Sequence, residues 1–310
     1  MKTVKNINVK GSIFKNKKSI FYIAMMALPV IQFCLMYIGV NLNSILLAFK
    51  EYDIDAGRYV YKGFENFTEV FQKITSETFI QYTLPNSLLI FGLNLVVILP
   101  MSLIFAYYLT KKYPLSGFLQ IILYLPSIIS SIVMVTMYMQ FAENTLPVLV
   151  WKLNGGVGDL PEGFISNPAT TKNALLIYLL FFGFGATTMI FTNSMSSINP
   201  SIMEASRIDG CRHFRQFIHM VLPLCFNIIK LQIISIIIGI FTNQFNLYTF
   251  FGTEANARLH TIGYYLYKET LIGGFQRYPY LAAFGLVITM AAIPLVFAFR
   301  AIADRLDPNS

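Results

Sequence analysis

Six stretches of this chain, residues 20 to about 49, 83–109, 118–140, 173–192, 224–247 and 280–299, are too long and too apolar for the interior of one soluble domain. Each is long enough to cross roughly 30 Å of hydrocarbon as a helix. A bilayer leaves few choices, because every backbone polar group must find its partner inside the segment. The chain therefore reads as an all-α integral membrane protein with six transmembrane helices. Composition agrees: 55% of its 310 residues are hydrophobic and 12% charged. The three cysteines, Cys34, Cys211 and Cys225, do not form a disulfide framework.

The distribution of charge sets the topology. Residues 1–19 carry Lys2, Lys5, Lys10, Lys15, Lys17 and Lys18 and no acid. The apolar run behind them is too long for a signal peptide and lacks a small-residue cleavage pattern, so it reads as an uncleaved first helix. Six spans place both ends on one side. Putting that side in the cytoplasm gathers the tail lysines, Lys111, Lys112, Arg207, Arg212, Arg215, Arg300 and Arg305 there, against Glu204, Asp209, Asp304 and Asp307 alone. The net charge of +8 is thus positive-inside topology and not a nucleic-acid patch. The domain reading is a cytoplasmic tail (1–19), a transmembrane domain (20–300) containing a loop at 193–223, and a cytoplasmic tail (301–310).

The longest polar island, Asn199 to Pro223, is built as a helix-turn-helix knob. Asn199 suits an N-cap and Pro200 the first helical position. Asp209-Gly210 stops the first helix, since Gly210 can turn left-handed, and a second short helix runs to a break at Leu222-Pro223. The order Glu204-Ala205-Ser206, Asp209-Gly210, Phe217 and Leu222-Pro223 resembles the "EAA" loop of binding-protein-dependent ABC importer permeases. Ser206 stands where that family usually has Ala, and Cys211 follows Gly210 where Ala is common. Both are small enough for the same packing.

The loop at 50–77 carries Gly63-Phe64-Glu65-Asn66-Phe67 and Val70-Phe71, a turn feeding a short amphipathic helix. It resembles the "GLxNF" segment of the sugar-type branch of that family. The Leu125-Pro126-Ser127 start of the third span and the small-residue start of the sixth, Tyr280-Leu281-Ala282-Ala283-Phe284-Gly285, are similar to the family's as well. Asn86-Ser87 lies near the family's Asn-Thr. The loop at 251–256 lacks most of the family's "TGGGP" turn.

Within the spans, Ser127, Ser131, Met134 and Tyr138 share one helical face, compatible with close helix packing or with a substrate path. Gly183-Phe184-Gly185 weakens the fourth span, for a bend or a close approach. Ser235, Gly239, Thr242, Asn243 and Asn246 form a stripe on the fifth. Amides are costly in lipid, so Asn243 and Asn246 read as facing the bundle interior or its vestibule. Lys230 can snorkel to the cytoplasmic surface. Gly155-Gly156-Val157-Gly158 is followed by no Lys-Ser/Thr, so it is a loop and not a phosphate cradle.

The resemblance implies a type I importer fold and a permease subunit, not an enzyme. It implies a second homologous permease, two ATP-binding subunits holding ATP and Mg, and an extracytoplasmic solute-binding protein delivering a carbohydrate. It assigns ATPase coupling to Glu204, Ala205, Ser206, Asp209, Gly210, Phe217 and Pro223. Polar residues of the fifth span are the family's substrate-cavity residues. The path here is read as Ser127, Ser131, Gly183, Ser235, Gly239, Asn243 and Asn246. Glu204 is expected to pair or cap at the knob. No metal site is expected. Another solute such as glycerol phosphate is the alternative within importers. A secondary carrier would want buried carboxylates, which the spans lack.

Overall fold

The computed structural model describes residues 17–307; Lys2, Lys5, Lys10 and Lys15 lie outside the described residues. Among the described residues, five helices are long and apolar enough to cross a membrane: Ile20–Leu47, Phe79–Thr110, Thr171–Ser196, Phe226–Phe251 and Gly274–Arg305. A sixth crossing arises if Ser116–Ile128 and Ser131–Leu153, bent by 107° at their junction, count as one. These correspond in order to the six apolar segments, with moved ends. The second starts earlier than its Pro85 suggests, because a π-helical turn, Phe79–Thr83, precedes that proline. The sixth continues through Arg305, so the first half of the expected C-terminal tail is helical.

One compact unit joins residues up to Val70 with Phe275–Leu286. It contains an antiparallel hairpin, Lys50–Asp53 paired with Arg58–Tyr61, where only a loop was expected. Alternating Tyr52, Tyr59 and Tyr61 with the Asp55-Ala56-Gly57 turn is the signal that announces it. Asp53 caps the turn, its carboxylate accepting from the amides of Asp55 and Ala56 at 3.0 and 3.1 Å. Gly63 turns the chain at φ +82° into the expected helix, Glu65–Ile74. The buried Asn66 amide fastens that helix to the end of the first span. Its Nδ2 donates to the carbonyls of Ala48 and Lys50 at 2.9 and 2.7 Å. Arg277 forms an ion pair with Glu69, and the Tyr59 hydroxyl donates to the Phe275 carbonyl at 3.2 Å.

The other unit comprises Phe71–Gly274 and the chain from Val287 on. Two cores organise it. One gathers Ile90, Tyr138, Leu175, Tyr178, Leu247 and Tyr264. Its Tyr138, Tyr178 and Phe250 rings meet edge to face, Tyr178 standing 5.1 Å from each of the others. The Tyr138 hydroxyl donates to the Ala174 carbonyl at 2.6 Å, the kind of interhelical bond that replaces water exclusion as glue in lipid. The second core packs Leu103, Ala106, Phe191, Met195, Val221 and Cys225 beneath the polar knob. Gly185 permits the fourth span's approach to the third, since a Cβ there would stand 2.1 Å from the Leu123 carbonyl oxygen.

Candidate functional site

The knob forms as its sequence dictates up to Gly210. Pro200–Ile208 is helical, and the Asn199 side chain accepts from the Ser201 amide at 3.1 Å. Gly210 sits at φ +76°, with its amide on the Arg207 carbonyl and the Cys211 amide on the Ser206 carbonyl, both at 3.0 Å. This is a Schellman closure, which needs a left-handed residue at that point. The second arm departs from expectation at its far end. Helix continues through Leu222-Pro223 to Leu224, and the break falls at Cys225. A π-helical turn at Phe217–Val221 carries it past the proline.

A residue that the motif does not contain fastens the knob. Gln216 is 1% exposed, and both ends of its amide are used. Its Nε2 donates to the Met203 carbonyl at 3.0 Å and to the Ser206 hydroxyl. Its Oε1 accepts from Lys111 Nζ at 2.5 Å and faces the Tyr107 hydroxyl at 3.2 Å. That hydroxyl also reaches the His213 carbonyl at 2.9 Å, and the Tyr107 ring packs 4.9 Å from Phe217. One amide thus ties both arms of the knob to the end of the second span. Ser206, the departure from Ala, is a working part of this knot. Lone polar residues in an amphipathic helix are usually solvated, so nothing in the sequence marks Gln216.

Glu204 neither caps nor pairs. Asn199 holds the cap, and the Glu204 carboxylate has no hydrogen-bond or ion-pair partner among the described residues. It lines a cleft of about 280 Å³ with Lys111, Lys112, Arg207, Met195 and Met203. Burial and the Arg207 guanidinium hold the Lys111 ammonium below its ordinary range. Ala205, Asp209 and Cys211 line a second groove on the knob with Ile202 and Arg215.

The expected polar stripes are broken, and the breaks define a second site. The third segment stops at Ile129, which is extended at ψ +144°, so Ser127 is cut off from the face that Ser131, Met134 and Tyr138 share on the next helix, Ser131–Gln140. The fourth span yields at Gly183-Phe184, between Thr171–Phe182 and Gly185–Ser196. The fifth ends its helix at Thr242. Asn243 is extended, its Oδ1 accepts from the Phe245 amide at 2.8 Å, and Phe245 and Asn246 are left-handed at φ +56° and +53°. All three breaks meet at one cavity of about 250 Å³, lined by Ser127, Ser131, Tyr178, Phe182, Gly183 and Asn246. The rest of the expected stripe goes elsewhere. Ser235, Gly239 and Asn243 line a separate cavity of about 170 Å³ together with Asn94 and Gln232. Asn94 and Gln232 are intramembrane amides that sequence reading passed over, although the signal that singles out Asn243 would have found them.

Lys230 is not left to snorkel into water. Its Nζ lies 2.9 Å from Asp307 and 3.1 Å from Asp304, so the end of the chain neutralises it.

A knob of this build, joined to broken, polar-lined spans, has counterparts. Residues 98–310 match the family model described as "Binding-protein-dependent transport system inner membrane component". The chain belongs to this family. It is accordingly a multi-pass membrane permease subunit and not an enzyme. Among its relatives is the polygalacturonan/rhamnogalacturonan transport system permease protein of Bacillus subtilis (strain 168), 26% identical over 218 residues, covering 69% of this chain and 66% of that one. The lactose transport system permease protein of Rhizobium radiobacter is 25% identical over 72% of this chain and 76% of its own. The fold is that of a chain in the crystal structure of a bacterial ABC transporter involved in the import of the acidic polysaccharide alginate. The TM-score is 0.75 at 22% identity, covering 95% of this chain and 99% of that one.

Proposed function

We propose that this chain is a permease subunit of an ATP-driven importer of a carbohydrate, an oligosaccharide handed over by an extracytoplasmic binding protein. The observation that carries the reading is the meeting of three helix breaks at one cavity edged by hydroxyl, amide and aromatic groups. A sugar presents hydroxyl donors and acceptors around apolar ring faces, and that lining complements both. Broken helices at mid-membrane are how transporters place polar groups where substrate must pass. The names of the relatives, transport system permease proteins for polygalacturonan/rhamnogalacturonan and for lactose, support the same class of solute. A phosphorylated solute would need a free cation in the spans, and Lys230 is already held by two carboxylates.

In this reading a second, homologous permease completes the pathway, and two ATP-binding subunits hold the ATP and Mg. The substrate path comprises Ser127, Ser131, Gly183 and Asn246, with Ser235, Gly239 and Asn243 along the neighbouring cavity. The knob docks on an ATP-binding subunit through Glu204, Ala205 and Asp209. Gly210 sets its angle, and Ser206, Phe217 and Pro223 hold it to the spans. Movement of the knob passes as a rigid body into the second span through Gln216 and into the fifth through residues 217–224. Both termini are cytoplasmic, in a bacterial cell membrane.

The test is sugar-stimulated ATPase activity of the reconstituted complex purified through this chain. Asn246→Gly removes an amide while tolerating the left-handed backbone, and should weaken the apparent sugar affinity about tenfold. Gly210→Pro cannot take a positive φ and should abolish stimulation while assembly persists. Stimulation by sugar unchanged in both variants would reject the assignment.

A further inference from the structure

The cleft beside the knob is amphipathic in a way that ATPase docking does not explain. Its floor is apolar, built from Met195, Ile198, Met203 and Val221. Its rim carries three cations, Lys111, Lys112 and Arg207, and one carboxylate, Glu204, that forms an ion pair with none of them. Lys111 and Lys112 directly follow the last turn of the second span, and Ser196 closes the fourth, so the cleft sits at one end of both spans. Tyr107 and Tyr113 pack beside it, their rings against Phe217 and His213 of the knob. Lys112 holds a left-handed backbone at φ +52°, a conformation that a non-glycine residue keeps only where its surroundings demand it.

Three cations against a single carboxylate leave the cleft with a net positive charge that attracts an anion, and the apolar floor selects one that carries a chain. We propose that this cleft is a binding site for the phosphate headgroup of an anionic membrane lipid. The phosphate bridges Lys112 at the end of the second span to Arg207 on the knob, and an acyl chain lies over Met195 and Met203. The bound lipid thereby braces the knob against the span end opposite Gln216. A carboxylate of a protein partner would use the cations and leave the apolar floor idle. The inference requires only that the second and fourth spans cross a membrane, and it stands apart from the choice of sugar.

The experiment uses the complex purified through this chain in nanodiscs that mix phosphatidylglycerol with phosphatidylcholine, with retained lipid counted by native mass spectrometry. The variants are Lys112→Gln and Arg207→Gln, alone and together. Lys111 is spared because it serves Gln216. Lys172→Gln, remote in sequence from the cleft, is the control. Wild type should retain phosphatidylglycerol selectively, each substitution should lower retention about fivefold, and the control should match wild type. Folding is checked by the melting temperature of each complex, and the single variants keep the test informative if the double variant is unstable. Equal retention in wild type and both single variants would overturn the site. Displacement of the lipid by millimolar inorganic phosphate would overturn the lipid assignment in favour of a soluble anion. Loss of the ATP-binding subunit with lipid retention unchanged would give the cations to a protein carboxylate instead.

Discussion

Gln216 shows how much of a coupling element can hang on one buried amide. A buried polar group stripped of its partner costs about 1–3 kcal/mol, and removing this side chain strips the Lys111 ammonium of its acceptor and leaves the Ser206 hydroxyl and the Met203 carbonyl only their bond to each other. Gln216→Leu, similar in volume, is therefore expected to lower the melting temperature of the purified complex and to uncouple ATP hydrolysis from solute. Gln216→Glu should lose less, because a carboxylate still accepts from Lys111 and Tyr107 and forfeits the donations to Met203 and Ser206. Equal melting temperatures for wild type and Gln216→Leu would remove the amide from its role. At this scale the sequence was legible where local chemistry decides: Asn199 caps, Pro200 opens and Gly210 turns left-handed, each for reasons contained in a few residues. Glu204 is not the cap, because Asn199 takes it.

Among elements, the helices were legible and their interruptions were not. Gly183 gave warning of its break, but Ile129-Ser130 and Asn243 to Asn246 contain neither glycine nor proline. The second of these is set by tertiary contact. The Thr261 hydroxyl donates to the Asn243 carbonyl at 2.8 Å, and Gly263 lies so near that a Cβ would stand 2.5 Å from the Thr242 carbonyl. No window of local sequence holds that information. Glycines on the spans separate accordingly into those that packing requires and those that it does not. Gly185→Ala drives a Cβ against the Leu123 carbonyl and should sharply reduce the yield and melting temperature of the complex. Gly239→Ala meets nothing within 4 Å and should fold normally, gaining up to about 1 kcal/mol of helix propensity. The reverse order of stabilities would contradict the packing described for the fourth span.

At the level of the whole molecule, the apolar segments and their charge bias already fixed an all-helical membrane protein, and the family match agrees with it. Two features escaped that reading: the Lys50–Asp53 hairpin, although its turn and tyrosines lie within one short window, and the capture of Lys230 by Asp304 and Asp307, which joins residues far apart in sequence. The second makes the end of the chain part of the fifth span's environment. Replacing both acids with Asn strands a side chain that is 17% exposed and charged, and should destabilise the complex. Adding Lys230→Met to that pair should recover most of the loss, a sign reversal that thermal unfolding of the single, double and triple variants will read. Additive losses would mean that the ion pairs do not act as a unit.

The three helix interruptions also bear on how specificity could change over evolutionary time. Where a helix stops, its final carbonyls have no amide to accept from, and they remain as fixed acceptors whatever side chains surround them. A solute rich in hydroxyl protons can be held by main chain alone at such a place. Selectivity built that way survives replacement of the neighbouring side chains, which are then free to drift and to sort one hydroxylated solute from another without the site being lost.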